Sequence, residues 1–382
     1  MQGQTDKYYE EKDRENTLRM RAVLDTLPRF CRQFFRGIEQ NTLPRTRLAY
    51  AYDLRVFFEF LHNTNPACKK QEITDYSIDI LKYIQKEDIE EYLEYCTYYE
   101  KDGKIITNDE RGKARKLSTI RKMFHYFYCS EQIDEDVAEK IPLPKQHEKA
   151  IIRLEPDEVA ILLDQVDSGA SLTKHELAFH ERTRIRDIAI LTLMLGTGIR
   201  VSECVGLDIQ DIDFNENGIK IHRKGGYEAV VYFGDEVEKA LKEYLKQREK
   251  VIPVTGNENA LFLSLQDRRL TVRAVENLVK KYASRVTTLK KITPHKLRST
   301  YGTSLYRETG DIYLVADVLG HKDVNTTRKH YAAIEEDRRR SAANVVKLRE
   351  DVPDKVKTEA AHLEIKRNES GIIKNQEQES DQ

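Results

Sequence analysis

Apolar positions recur along this chain mostly at helical spacing, with one region of short alternating runs. The clearest helical stretch is 45–61, where Tyr50, Leu54, Phe57, Phe58 and Leu61 fall on one side of a 3.6-residue repeat. Similar patterns at 89–98 and 117–127 complete a helical unit over 18–140, preceded by a polar extension at 1–17. Residues 141–150 read as a linker. Pro142 and Pro144 lie there in a polar stretch, and proline removes a backbone donor and fixes φ. The apolar period resumes at Leu154 and opens a second domain, 151–349. Within it, 187–195 reads as a buried helix ended by Gly196 and Gly198. Residues 211–214, 219–223 and 229–233 read as three strands, with turns at Asn217-Gly218 and Gly225-Gly226. Thr293-Pro294 begins a further helix and Gly310 stops it. Residues 350–382 are polar and mixed in charge, the composition of a disordered tail. The pattern predicts a mainly α protein with a small antiparallel sheet, in two domains.

Length agrees with that division, since 382 residues suffice for two cores. No apolar run approaches the ~20 residues that cross a bilayer, and residues 1–16 are unlike a secretory signal, so no membrane partner is expected. The five cysteines, Cys31, Cys68, Cys96, Cys129 and Cys204, are scattered and odd in number. They outline neither a disulfide framework nor a zinc site, which fits a reducing, cytoplasmic setting. A net charge of −1 is unlike a simple nucleic-acid binder, but the charge is unevenly spread. Residues 113–122 carry Lys113, Arg115, Lys116, Arg121 and Lys122 without an acid. Residues 280–298 carry Lys280, Lys281, Arg285, Lys290, Lys291, Lys296 and Arg298, again without one. Such blocks serve either as phosphate-facing surfaces or as solvated helix faces.

The candidate chemistry lies in four short signatures in a fixed order. They are Gly198-Ile199-Arg200-Val201-Ser202-Glu203, His295-Lys296-Leu297-Arg298, Leu319-Gly320-His321, and Tyr331. Each alone is common in proteins. Together they bring two arginines, two histidines and a tyrosine, the inventory for attacking a phosphodiester without a metal. His295 and Arg298 are three apart on a helix and so share a face. An apparent calcium loop from Asp211 fails, because its sixth position is Glu216 and its twelfth His222.

This constellation resembles the tyrosine recombinase (integrase) family, over about residues 40–345. Thr46, Tyr50, Asp53, Leu54 and the phenylalanines that follow resemble the family's core-binding helix. The resemblance implies a two-domain, C-shaped DNA clamp: a helical SAM-like core-binding domain joined to an integrase catalytic domain. It implies Tyr331 as nucleophile, Arg200 and Arg298 as phosphate clamps, and Glu203 as a brace for Arg200. Lys224 would protonate the departing 5′-oxygen, with Arg223 beside it as a rival. His295 would take or hold the tyrosine proton, and His321 would hydrogen-bond a non-bridging oxygen. Arg45, Arg47, Arg115, Lys116, Arg121, Lys122, Lys290 and Lys291 are the candidate DNA contacts. Tyr331 follows the Thr326-Thr327 pair by three intervening residues, where relatives commonly have two.

The implied activity is site-specific recombination through a 3′-phosphotyrosyl link and a four-way junction, with no cofactor and no metal. The partners would be duplex DNA bearing a recombination site, further copies of the chain in a tetramer, and an accessory or paired recombinase. The absence of room for an arm-binding domain before residue 40 resembles an Xer-type layout. Integration or excision and dimer resolution stay open. The alternatives are a type IB topoisomerase and a DNA-binding protein that has lost catalysis.

Overall fold

A computed structural model of the chain describes residues 4–66, 68–145, 152–223, 226–321 and Val324. The first helical group comprises α1 (Gln4–Leu24), α2 (Cys31–Gly37), α3 (Pro44–Thr64), α4 (Ile80–Tyr83) and α5 (Lys86–Tyr95). A hairpin of β1 (Tyr98–Lys101) and β2 (Lys104–Thr107) follows, then α6 (Glu110–Cys129). One continuous core runs through this group, from Met20 to Ile141. α3 carries its centre. Pro44 starts the helix where the missing N–H costs nothing, and Leu54, Phe57, Phe58 and Leu61 are all buried.

A buried charge staples α3 to α6. Asp53 is 1% exposed and receives Lys116 at 3.3 Å, the Thr119 hydroxyl at 3.1 Å, and Arg115. The sequence pattern did not give α1, α2, α4 or the β1–β2 hairpin. The stretch expected as a polar extension is helical from Gln4 onward. The β1–β2 hairpin turns at Asp102 and Gly103, both with positive φ (51° and 67°), which is the mirror-image turn that an Asp-Gly pair favours.

The second group begins with α7 (Pro156–Ser168), α8 (Lys174–Thr197) and α9 (Val201–Gly206). The strands β3 (Ile212–Asp213), β4 (Gly218–Arg223) and β5 (Tyr227–Tyr232) form an antiparallel sheet in the order β3-β4-β5. Then come α10 (Asp235–Arg248), α11 (Val272–Val286), α12 (Pro294–Thr309) and α13 (Ile312–Leu319). Its core extends from Leu154 to Leu297. In α8, Ala189, Ile190, Leu191, Leu193 and Met194 are wholly buried, so that helix is covered on every side along its last turns. Ile219 and Ile221 of β4 and Val231 of β5 face the core, while Lys220, Glu228 and Tyr232 face away.

The described residues fall into two compact units, those within 4–305 together with 317–320, and 306–316 together with His321 and Val324. In the second, Asp311 caps α13 by accepting the N–H groups of Tyr313 (2.8 Å) and Leu314 (3.1 Å).

Candidate active site

The site begins at a backbone reversal. Gly198 closes α8 in the left-handed region (φ 65°), and a Cβ there would overlap the Tyr301 ring, so only glycine fits. Two residues on, Arg200 is the N-cap of α9 in extended conformation. Glu203, 3% exposed, accepts the Arg200 backbone N–H and the Arg200 guanidinium, each at 2.7 Å. One carboxylate therefore orients both ends of that arginine.

Arg298 projects from α12 and is 5% exposed. It donates to the Gly198 carbonyl at 2.7 Å and to the Leu319 carbonyl. α12 is itself tied down, because the Thr300 hydroxyl accepts the Leu154 N–H at 3.0 Å. Arg200 donates to the next carbonyl, that of Gly320, at 3.3 Å. Arginines far apart in the sequence thus meet at one helix end.

That end is the C-terminus of α13. Gly320 is left-handed (φ 61°), its N–H bonds the Asp317 carbonyl at 2.8 Å, and the His321 N–H bonds the Ala316 carbonyl at 2.9 Å. This is the Schellman pattern, and it sets the backbone from which His321 departs. Arg223, the last residue of β4, donates to the Asp317 carbonyl at 3.1 Å and the Val318 carbonyl at 2.7 Å. Four successive carbonyls, 317–320, therefore receive three guanidiniums. Exposed carbonyls at a helix C-terminus carry partial negative charge, which offsets the repulsion among the three cations.

Residues 153–338 match the phage integrase family. The chain is 32% identical over 310 residues to the tyrosine recombinase XerC of Caldanaerobacter subterraneus subsp. tengcongensis, covering 79% of this chain and 81% of that one. The chain belongs to the phage integrase family of tyrosine recombinases. It is also 29% identical over 299 residues to the tyrosine recombinase XerD of Staphylococcus epidermidis, covering 78% and 89%. Its fold is similar to that of the XerH site-specific recombinase in a post-cleavage complex with palindromic difH substrate. That match has a TM-score of 0.60 and 23% identity, over 80% of this chain and 81% of the other.

Within this recombinase, Arg200, Glu203 and Arg298 are brought together, and the Leu319-Gly320-His321 turn adjoins them at Leu319 and Gly320. His295 is exposed on the first turn of α12. Lys224 and Tyr331 lie outside the described residues. The Cys204 thiol, next to Glu203, is pushed up to about 12 by burial and then by the Glu203 charge, so it is chemically inert there. Among the described residues no group of three or more His, Cys, Asp and Glu could hold a metal ion, and no helix is long and apolar enough to cross a membrane.

The basic candidates divide sharply. Arg45, Lys122 and Lys291 are exposed, and Arg115 has half its side chain exposed while paired with Asp53. Lys290 is half-buried against Glu158. Three of the candidates are engaged within the chain. Arg47 is 5% exposed and paired with Glu39 at 2.7 Å, and Lys116 is 4% exposed against Asp53. Arg121 donates to the carbonyls of Ala138 (3.2 Å), Glu139 (3.3 Å) and Ile141. These cations hold the first core together, and their nearest acceptors lie within the chain.

Sequence pattern also missed contacts made by α1. Tyr9 donates to the Ser202 carbonyl at 3.3 Å and fills the space where a Cβ on Gly206 would sit. Tyr8 lies under the Arg269 guanidinium, 4.9 Å away, and Arg269 holds the Val205 (3.1 Å) and Leu207 (2.8 Å) carbonyls. No local signal foretells this, because two tyrosines in a polar helix look like surface residues.

Proposed function

We propose that this recombinase cuts and rejoins duplex DNA at a specific site through Tyr331. The tyrosine oxygen attacks phosphorus and displaces the 5′-oxygen, which takes a proton from Lys224 as it leaves. A 5′-hydroxyl from a second duplex then attacks the 3′-phosphotyrosyl link and releases the tyrosine. Arg200 and Arg298 hold the non-bridging oxygens, His321 adds a hydrogen bond, and His295 receives the tyrosine proton. The observation that carries this reading is the convergence of Arg200 and Arg298 on adjacent carbonyls, Gly320 and Leu319, immediately before His321. The planar fork of a guanidinium matches a pair of phosphate oxygens in geometry and charge, which suits both residues to that role.

The two cores, Met20–Ile141 and Leu154–Leu297, serve in this reading as the core-binding and catalytic domains. Among the candidate contacts, Arg45, Arg115, Lys122 and Lys291 are exposed and would meet DNA in this reading. Four protomers would hold two sites, and a cytoplasmic setting goes with a DNA substrate and five free thiols.

The test uses the full chain and a nicked duplex bearing the sequence that the protein itself selects from a random pool. Wild type is expected to form an SDS-resistant protein–DNA adduct. Tyr331→Phe is expected to bind the duplex with unchanged affinity and form none. An adduct in the variant would move the nucleophile elsewhere. Relaxation of a supercoiled plasmid lacking the site would indicate a topoisomerase, and binding by wild type without any adduct a silent DNA-binding protein.

A further inference from the structure

We propose that Arg223 is a positioning residue, which fixes the row of α13 carbonyls against which the two phosphate-clamp arginines are held. The proposal rests on the reading of Arg200 and Arg298 as clamps. Arg223 ends β4, opposite Tyr227 in the sheet register. Its two terminal nitrogens reach successive carbonyls, Asp317 and Val318, and the following two carbonyls take Arg298 and Arg200. The sheet thereby grips the same turn that orients both clamps. The bonds go to backbone oxygens, so what Arg223 holds is the position of the helix end itself.

Two further observations fit this assignment. A Cβ at Gly320 would overlap the Arg223 guanidinium, so a side chain there would have to push this arginine off its carbonyls. The glycine therefore serves the left-handed cap and the passage of this arginine together. The Arg223 Nε is buried and has no hydrogen-bond partner among the described residues. The side chain leaves that donor unmet while its two terminal nitrogens bridge neighbouring carbonyls, a grip for which a planar fork is suited and a lysine ammonium is not. Without it the carbonyl row is free to shift, and a displacement of about 1 Å in a catalytic array costs on the order of 10²-fold in rate.

The experiment compares two scissile linkages in the self-selected duplex, an ordinary phosphodiester and a methylphosphonate. Replacing one non-bridging oxygen by methyl removes the negative charge, so guanidinium placement matters less. Arg223→Met keeps the stem and removes the fork. It is expected to slow single-turnover cleavage of the phosphodiester about 10²-fold but that of the methylphosphonate only about fivefold or less, with duplex affinity unchanged. Arg298→Ala is the control and should show the same narrowing. No narrowing in Arg298→Ala overturns the clamp reading, and this proposal with it. Narrowing there with equal losses in Arg223→Met overturns the positioning proposal alone. Should Arg223→Met lose its cooperative thermal transition, Arg223→Lys decides. It should show an intermediate loss with the same narrowing, and wild-type cleavage of the phosphodiester by that variant would sink the idea.

Discussion

Cys204 and Glu203 are neighbours in sequence and both are buried, yet the folded chain treats them in opposite ways. Glu203 spends its charge on Arg200, with two bonds of 2.7 Å, while the thiol has only the surrounding burial. Burial and the adjacent carboxylate raise the Cys204 pKa to about 12, so almost no thiolate exists near neutrality. Cys129, at the end of α6, is exposed. Alkylation of the native protein at pH 8, followed by peptide mass spectrometry, should modify Cys129 and spare Cys204. Equal labelling of the two would mean that α9 opens readily and that Arg200 is not firmly held.

At the scale of elements, α8 shows how an end can govern a long helix. Thr173 and Glu176 form a reciprocal cap, and Arg285 of α11 reaches the same carboxylate at 2.7 Å. The Thr173 backbone N–H first, then its hydroxyl and Arg285, lower the Glu176 pKa to about 2. Folded protein therefore holds this carboxyl ionised where unfolded chain, titrating near ~4.3, takes up a proton. The stabilisation is complete above about pH 5 and fades as pH falls towards 2. Glu176→Gln should melt below wild type at pH 7, with the gap closing between pH ~4.5 and ~2 in a thermal series. A gap independent of pH would assign the effect to packing. Helices at 45–61 and 117–127 and the three strands of the second group were legible because their periods are local. The β1–β2 hairpin had a local signal too, Asp102-Gly103 between strand-forming residues, but its strands are only four residues long.

For the whole molecule, assembly is the open dimension. Residues 341–348 are small and apolar by sequence and follow the polar run 335–340, and they lie outside the described residues. The family commonly exchanges its last helix between subunits, so this stretch is proposed to dock on a neighbouring protomer, with packing on its own domain as the other outcome. Truncation after Glu350 should leave recombination intact. Truncation after Arg340 should preserve binding of one protomer to a half-site but abolish cooperative assembly, read by gel shift and sedimentation on a full site. Normal assembly by the shorter protein would rule out the exchange.

The sequence by itself determined the chemistry that this protein carries. Arginines never lose their charge, a tyrosine oxygen can bond phosphorus, and glycines at 198 and 320 accept left-handed backbone. These are properties of residue types in a given order. It also determined several of the longer helices, α3, α5, α6, α8 and α12 among them, and the three-stranded sheet, since amphipathic period and turn residues act within a few positions. The tertiary structure decided the use of each cation. Arg47, Lys116 and Arg121 read as surface charges beside Arg45 and Lys122, yet they are consumed by Glu39, Asp53 and the carbonyls of 138, 139 and 141. Arg223, at the end of β4, bonds the carbonyls of Asp317 and Val318, and Tyr8 and Tyr9 dock on residues near 205. A charged or aromatic side chain acts on whatever partner lies within a few ångströms, and only folding brings those distant partners into reach.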